Sequence, residues 1–364
     1  MDVFQLREKL TQDYATYAQS FIHIQDERIH AFVQEQLQRG VFWPDPLIQL
    51  NPMFKPGASV SELVEQGILH PECDRIFRKG EERGTSKPLL LHQHQLDAIY
   101  AARNGHNYIL TTGTGSGKSL AYIVPIVDYV LRQGKTRGIQ AIVVYPMNAL
   151  ANSQYGELEK FLTRGYPDKR GPVTFASYTG QENEKQRQEI LANPPNILLT
   201  NYVMLELLMT RPRERALIEA AQGLRFLVLD ELHTYRGRQG ADVAMLVRRV
   251  RERLSADRLQ CVGTSATLAT EGTYDEQRAE IARVGTQLFG APVDPNYIIG
   301  ETLQRTTPEF DADDPAFIQA LRDNISFYTS AKPPTGYKDF TSQPLSQWIE
   351  SAFGVTYDPD SQRL

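Results

Sequence analysis

The feature that most constrains the fold of this 364-residue sequence is the octapeptide TGTGSGKS, at Thr112–Ser119. It follows a short apolar run, Tyr108–Leu110, and precedes a stretch of helical periodicity, Ser119–Arg132. A glycine-rich loop between a strand and a helix can wrap its backbone N–H groups around phosphate, and the positive end of the helix dipole faces the same point. The octapeptide therefore predicts a phosphate-binding loop in an α/β domain.

The residues of this loop have predicted roles in holding ATP and a magnesium ion. Lys118 is expected to reach the β- and γ-phosphates, and the Ser119 hydroxyl is expected to bind Mg²⁺. The strict pattern has glycine at the first position, where this chain has threonine. The predicted cofactor-binding residues of the loop are Thr112, Gly113, Thr114, Gly115, Ser116, Gly117, Lys118 and Ser119.

A second apolar run, Phe226–Leu229, ends in an acidic pair and a histidine within the segment FLVLDELH. Open α/β sheets bind ligands at the carboxyl ends of their strands, which is where this pattern places the pair. Asp230 is predicted to hold the magnesium ion, and Glu231 to orient and deprotonate the attacking water. Together with Lys118 and His233, they make up the predicted catalytic set.

A third segment, GTSATLA, follows the apolar run Leu259–Val262. Its small hydroxyl residues Ser265 and Thr267 are predicted to hydrogen-bond to the acidic motif and to report the state of the nucleotide. The tripeptide Ser-Ala-Thr is too simple to carry this interpretation alone, so the segment gains its meaning from its place after the other two.

Short β-branched runs alternate with helical stretches from about residue 89 to about residue 300. The runs are unbroken, as is typical of parallel strands buried on both faces, so we predict an α/β doubly wound parallel sheet with right-handed crossovers. The predicted strands are Tyr108–Leu110, Ala141–Tyr145, Val173–Tyr178, Ile197–Thr200, Phe226–Leu229 and Leu259–Val262. The helices predicted between them include Ser119–Arg132, Ala149–Leu162 and Ala241–Leu254.

The flanking segments differ from this α/β pattern. Residues 1–88 are predicted to form a mainly helical accessory domain, in which Ser61 caps the helix of SELVEQGIL. Residues 89–300 form the predicted ATP-binding domain. The acidic residues 301–364 are predicted to be a linker or the start of an inserted helical region.

The three chemical segments resemble, in this order, motifs I, II and III of superfamily 2 helicases of the DEAD/DEAH-box (DExH) type. "HQLDAI" resembles the upstream glutamine motif, "YPMNALANSQ" resembles motif Ia, and "YTG" and "LLTNY" resemble the next two strand-contacting motifs. The resemblance implies a RecA-like P-loop NTPase domain and a contact between Gln95 and adenine. It further implies nucleic-acid contacts by Asn148, Thr179, Gly180, Thr200 and Asn201.

A longer segment, DELHTYRGRQGADVAMLVRRVRERL, resembles bacterial DNA-repair and phage-defence helicases related to the mitomycin-repair helicase. The resemblance implies a second RecA-like domain with arginine fingers and a Cys-rich C-terminal domain. Neither follows Thr267 here, and the chain has two cysteines. We therefore expect the N-terminal part of a longer protein, with a naturally split helicase as the alternative.

The net charge of −5 is unequally distributed, because residues 91–270 are net basic and the rest net acidic. An average charge therefore does not exclude nucleic-acid binding. The four arginines of the run from Arg248 to Arg253 fit either phosphate contacts or a solvated helix face. Two cysteines and no run of 18 apolar residues fit a reducing cytoplasm and no membrane partner.

The sequence favours an ATP-dependent DNA helicase or translocase that uses ATP and Mg²⁺, acts in DNA repair or phage defence, and moves on single-stranded DNA. Its other expected partners are the second RecA-like domain and repair or defence proteins. An RNA helicase, a double-strand translocase and a nucleotide-dependent scaffold remain open alternatives. Without arginine fingers, the isolated chain is expected to hydrolyse ATP very slowly.

Overall fold

The computed structural model describes residues 3–21, 24–40, 50, 52–80, 86–113, 115–134, 138–163, 166, 170–266, 272–358 and 364. Its helices are α1 (Val3–Ser20), α2 (Glu27–Gln38), α3 (Val60–Glu65), α4 (Pro71–Ile76), α5 (Gln93–Arg103), α6 (Leu120–Arg132), α7 (Asn148–Leu162), α8 (Glu184–Ala192), α9 (Tyr202–Thr210), α10 (Arg215–Ala220), α11 (Gly237–Arg253), α12 (Tyr274–Phe289), α13 (Pro315–Tyr328), α14 (Tyr337–Thr341) and α15 (Pro344–Phe353).

The strands are β1 (Met53–Phe54), β2 (Pro56–Ser59), β3 (Arg78–Lys79), β4 (Lys87–Pro88), β5 (Leu90–His92), β6 (Tyr108–Thr111), β7 (Ala141–Tyr145), β8 (Phe175–Ser177), β9 (Ile197–Asn201), β10 (Phe226–Leu229), β11 (Gln260–Thr264), β12 (Ile298–Gly300) and β13 (Leu303–Gln304).

Within the described residues, seven parallel strands form the central sheet in the order β12-β6-β11-β10-β7-β9-β8. The predicted doubly wound α/β fold is confirmed, and each predicted strand overlaps an observed one. The edge strand β12 was not predicted, because its three residues carry too little periodicity to distinguish a strand from a turn. The crossovers place β11 between β6 and β10, although β11 comes last of the three in the chain.

Both faces of the sheet are buried, which explains the unbroken apolar runs. Tyr108 and Val228 face a core shared with α5, α6 and α7, whereas Ile109 and Leu227 face the core under α9 to α12. Complete burial of an aliphatic side chain of this size contributes about 1.5–3 kcal/mol. The rigid sheet that results holds the loops at its carboxyl edge.

Two short helices before the predicted boundary at residue 88 pack into the same core. Leu63 of α3 and Phe77, just after α4, are buried with the side chains of α5 and α6. The predicted N-cap at Ser61 is wrong, because Ser59 caps α3 through a reciprocal pair of hydrogen bonds with Glu62. We propose that any division between an accessory unit and the sheet domain lies before β1.

The segment after β12 packs back against the segment that precedes α3. Its strand β13 pairs antiparallel with β1, and the Glu350 carboxylate of α15 accepts hydrogen bonds from the backbone N–H groups of Thr306 and Thr307, at 2.8 Å each. Among the described residues, no helix combines the length and apolar character needed to cross a membrane.

Candidate nucleotide site and nucleic-acid interface

The predicted phosphate loop joins β6 to α6 at the carboxyl edge of the sheet. The buried Thr112 hydroxyl hydrogen-bonds to the Ser116 hydroxyl at 2.6 Å, and Lys118 Nζ donates to the Thr112 carbonyl at 3.0 Å. Gly115 and Gly117 have φ of 83° and 74°, which glycine adopts at no steric cost. The loop is therefore closed on itself, with its lysine folded over it. Thr114 lies outside the described residues.

Two side chains from the first turn of α5 hydrogen-bond to backbone carbonyls of the phosphate loop. His94 Nε2 lies 2.9 Å from the Ser116 carbonyl, and Gln95 Nε2 donates to the Gly117 carbonyl at 2.9 Å. Burial lowers the pKa of His94 to about 4, so its imidazole is neutral and Nε2–H is the donor. Because the other end of the Gln95 amide accepts from His92 N, both of its polar atoms are used within the protein. Its predicted contact with adenine stays a prediction.

The acidic motif ends β10, between β11 and β7, and a residue of β11 holds it in place. Thr264 donates its hydroxyl hydrogen to Asp230 Oδ1 and accepts a hydrogen bond from Glu231 N at 3.1 Å. Glu231 has φ of 53°, a left-handed conformation that costs a non-glycine residue roughly 1–2 kcal/mol. Thr264 was missed as a site residue, although it lies beside the predicted Ser265.

The histidine of this motif contacts the predicted coupling residue. His233 Nδ1 lies 3.2 Å from the buried Ser265 hydroxyl and 3.2 Å from Glu231 Oε2. The structure thus brings three residues together from the ends of β10 and β11. The other predicted coupling residue, Thr267, lies outside the described residues.

The electrostatics of Asp230 suit a cation-binding carboxylate. Burial raises its pKa, the hydrogen bond from Thr264 lowers it, and the neighbouring Glu231 raises it further. A cation at the second carboxylate oxygen would offset the cost of burying this charge. Ser119, the other predicted magnesium ligand, is the residue that precedes α6 at its N-cap.

The donor set also fits magnesium rather than a metal held by the protein alone. The described residues include no group of three or more His, Cys, Asp or Glu side chains arranged around a metal position. Mg²⁺ commonly binds one or two protein oxygens and takes its other ligands from phosphates and water. Asp230 and Ser119 could supply such a half-site.

An unpredicted carboxylate reaches the loop from the end of β12. Glu301 Oε2 accepts a hydrogen bond from Gly113 N at 3.1 Å. The sequence does not predict this contact, because Glu301 lies 188 positions after Gly113 in the chain. It tethers the first turn of the phosphate loop to the edge strand.

The predicted nucleic-acid residues lie together at the carboxyl ends of β7, β9 and β8. Asn201 Nδ2 donates to Asn148 Oδ1 at 2.7 Å and to the Thr179 carbonyl at 3.1 Å. Gly180 follows Thr179 in the adjoining loop. Thr200 is fully buried and donates to the Tyr178 carbonyl at 2.7 Å, so its side chain lies beneath this surface rather than on it. The contacts of all five with nucleic acid stay predictions.

The basic run on α11 is partly explained by packing. Arg248 Nη2 donates to the Gln287 carbonyl at 3.1 Å, and Arg251 Nη2 donates to the Phe289 carbonyl at 3.3 Å. Cations at the end of α12 also interact favourably with its dipole. Arg249 instead pairs with Glu206 on α9.

Residues 92–275 match the DEAD/DEAH box helicase family, and this range includes the phosphate loop, the acidic motif and the end of β11. The chain belongs to the DEAD/DEAH box helicase family. The predicted relationship to superfamily 2 helicases is confirmed by this match.

Individual relatives agree with the family. The Druantia protein DruE of Escherichia coli (strain UMEA 4076-1) is 24% identical over 376 residues, which cover 72% of this chain and 20% of that protein. The uncharacterized ATP-dependent helicase YprA of Bacillus subtilis (strain 168) is 30% identical over 207 residues, which cover 56% of this chain and 26% of YprA.

A solved structure shows the same fold. The crystal structure of the DUF1998 helicase MrfA bound to DNA superposes with a TM-score of 0.53 at 22% identity, covering 77% of this chain and 37% of MrfA. This chain therefore spans roughly a fifth to two fifths of the length of these three relatives.

Proposed function

We propose that this chain is the ATP-binding part of an ATP-dependent DNA helicase or translocase, which couples Mg-ATP hydrolysis to movement on nucleic acid in DNA repair or phage defence. The observation that carries the proposal is the order of three adjacent strands. The phosphate loop with Lys118 follows β6, Thr264 ends β11 and Asp230 follows β10, and these three strands are neighbours in the sheet, which supports the proposal.

The phosphate loop and the acidic motif divide the steps of hydrolysis between them. The phosphate loop and Lys118 bind the phosphates, and Asp230 and Ser119 hold Mg²⁺, which neutralises charge on the transferred phosphoryl group. Glu231 orients the attacking water and accepts its proton. Glu231 has a left-handed backbone conformation, with φ of 53°, and its N–H group is held by Thr264.

The surface formed by Asn148, Asn201 and Thr179 is the proposed track for single-stranded DNA. It lies on the same edge of the sheet as the phosphate loop, three to five strands away from β6. Contacts to phosphates at the Asn148 and Asn201 end of this surface would make binding largely independent of sequence and weaker at high salt.

The chain alone is proposed to bind Mg-ATP weakly and to hydrolyse it slowly. Arginine fingers contribute roughly 10³–10⁵ in rate at comparable sites. Among the described residues, no arginine forms a hydrogen bond or an ion pair with Lys118, Asp230 or Glu231. DNA-stimulated turnover near one per second, a typical order for enzymes, would contradict this part of the proposal.

Replacement of the proposed base tests the function in the longest natural form of the protein. Glu231→Gln should retain Mg-ATP binding and lose at least 100-fold in hydrolysis and in strand separation. Glu65→Gln, an exposed residue of α3, is the matched control and should be unchanged. Biological activity that survives Glu231→Gln would favour a nucleotide-dependent scaffold instead.

Two further assays separate the remaining alternatives. Competition between DNA and RNA strands of matched sequence distinguishes a DNA motor from an RNA helicase. An ATPase assay beside a strand-separation assay identifies a double-strand translocase, which would hydrolyse ATP without unwinding. Preference for RNA, or hydrolysis without unwinding, would replace the proposal by the corresponding alternative.

A further inference from the structure

A cleft of about 520 Å³ opens beside the edge strand β8, between α7 and α8. Its volume is in the range of small-ligand sites. Aromatic, amide and carboxylate side chains line it, and its described lining includes no lysine or arginine. The polar residues that matter below are Asn152, Tyr155, Gln181, Glu182 and Glu189.

The cleft is continuous with the proposed nucleic-acid track. Asn148, Asn152 and Tyr155 are spaced i, i+4 and i+7 on α7, so they lie along one face of the helix. Asn148 belongs to the track through its hydrogen bond with Asn201 at 2.7 Å. Seven residues of helix span about 10 Å, so a base of a strand bound at Asn148 lies within reach of Tyr155.

At this end of the track, an internal carboxylate already occupies the donors that would bind phosphate. Glu182 accepts hydrogen bonds from Thr179 N at 2.8 Å, from Thr179 Oγ1 at 3.0 Å and from Gly180 N at 2.8 Å. A phosphate there would have to displace Glu182, and Glu189 adds a second negative charge to the cleft. The cleft is therefore unsuited to phosphate.

The same cleft is well suited to a flat, uncharged ring with polar edges. Tyr155 is 38% exposed, and its ring packs against Phe175 with centroids 4.9 Å apart, so it is held in place while part of it remains accessible. The Asn152 amide donates to Gln181 Oε1 at 3.3 Å. The Ser177 hydroxyl lining the cleft has no hydrogen-bond partner in the described part of the chain.

We propose that this cleft binds one unstacked nucleobase of the single strand, with the base against Tyr155 and its polar edge toward Asn152, Gln181 and Glu189. The carboxylate of Glu189 would accept from an exocyclic amino group, which favours adenine, cytosine or guanine over thymine. The inference rests on the proposed function, since it assigns a base site to the proposed track.

An abasic scan of a bound oligonucleotide tests this site. The 364-residue chain is titrated with fluorescent 12-mer DNA strands that each lack one base at a different position, and with the intact strand. One abasic position should weaken binding about 5- to 150-fold, the range for loss of one base–aromatic stack. Tyr155→Ala should weaken binding of the intact strand similarly and should flatten the scan.

Two variants and one further readout separate base stacking from a structural effect. Tyr155→Phe should preserve the scan, and Tyr100→Ala, an exposed tyrosine of α5, is the matched control. Loss of a stack leaves the slope of log affinity against log salt unchanged, whereas loss of one phosphate contact lowers it by about 1. Thermal melts of each variant report whether it is folded.

The outcomes separate this inference from the proposed function. Absence of any binding to DNA or RNA strands would overturn the proposed function itself. Salt-sensitive binding with a flat abasic scan in the wild-type chain, or a Tyr155→Ala variant that is folded and binds normally, would overturn the base site alone.

Discussion

Removal of the Thr264 hydroxyl is the perturbation that most directly tests the geometry of the acidic motif. The side chain is fully buried, and its oxygen both donates to Asp230 Oδ1 and accepts from Glu231 N. Thr264→Val keeps the shape and removes both bonds. A hydrogen bond to a charged group contributes about 1.5–3 kcal/mol, and an unsatisfied buried N–H costs about 1–3 kcal/mol.

Thr264→Val should therefore lower the free energy of unfolding by about 2–4 kcal/mol, allowing for partial relaxation. Thr264→Ser keeps the hydroxyl and loses one methyl, so it should cost about 1 kcal/mol. Urea unfolding at pH 7 measures both. The difference between the two variants, rather than either value alone, reports the hydroxyl.

The same change should affect the site. The hydrogen bond from Thr264 lowers the pKa of Asp230, so its removal should raise that pKa further. Mg-ATP affinity of Thr264→Val should therefore fall more steeply than that of Thr264→Ser as the pH is lowered. If the valine and serine variants unfold at the same urea concentration and bind Mg-ATP alike, the bridging role assigned to Thr264 is wrong.

Three other predictions concern Gly117 of the phosphate loop, His94 beneath that loop and the N-cap of α3. Gly117→Ala should weaken ATP binding at least 10-fold and destabilise the fold by about 1–2 kcal/mol, because φ is 74° and a Cβ would lie 2.5 Å from Gln95 Nε2; calorimetry measures the binding, and unchanged affinity would contradict it. His94 has a pKa of about 4 in the folded state against an ordinary 6.5, so the unfolded chain binds more protons between these values and stability is lost as the pH falls through them. Unfolding at pH 5 and pH 7 should show about 2 kcal/mol of this loss in the wild type and none of it in His94→Gln, and equal losses would refute the assignment. Ser59→Ala should cost about 0.5–2 kcal/mol of stability, whereas Ser59→Thr keeps the capping hydroxyl and should cost less; equal losses in the two variants would contradict the observed capping box.

Local pattern made much of the fold predictable from sequence. An apolar run buried on both faces leaves a signature in consecutive residues, and β7 and β10 were predicted at their observed bounds. The cap of α3 was misplaced by two residues, since both Ser59 and Ser61 lie within two positions of an apolar residue and only Ser59 is followed by glutamate at the third position. The β12 strand was missed because three residues carry too little periodicity to distinguish a strand from a turn.

Contacts between residues at the ends of different strands could not be predicted from local sequence patterns. Thr264 reaches Asp230 from 34 positions away, and Glu301 reaches Gly113 from 188, because the order of strands in space differs from their order in the chain. That order has a consequence for mechanism. β11 lies between the strands of the phosphate loop and of the acidic motif, and Thr264 and Ser265 at its carboxyl end contact the acidic motif. We therefore propose that the carboxyl end of β11 transmits the nucleotide state between the two motifs, and the Thr264→Val and Thr264→Ser pair tests the first step of that transmission.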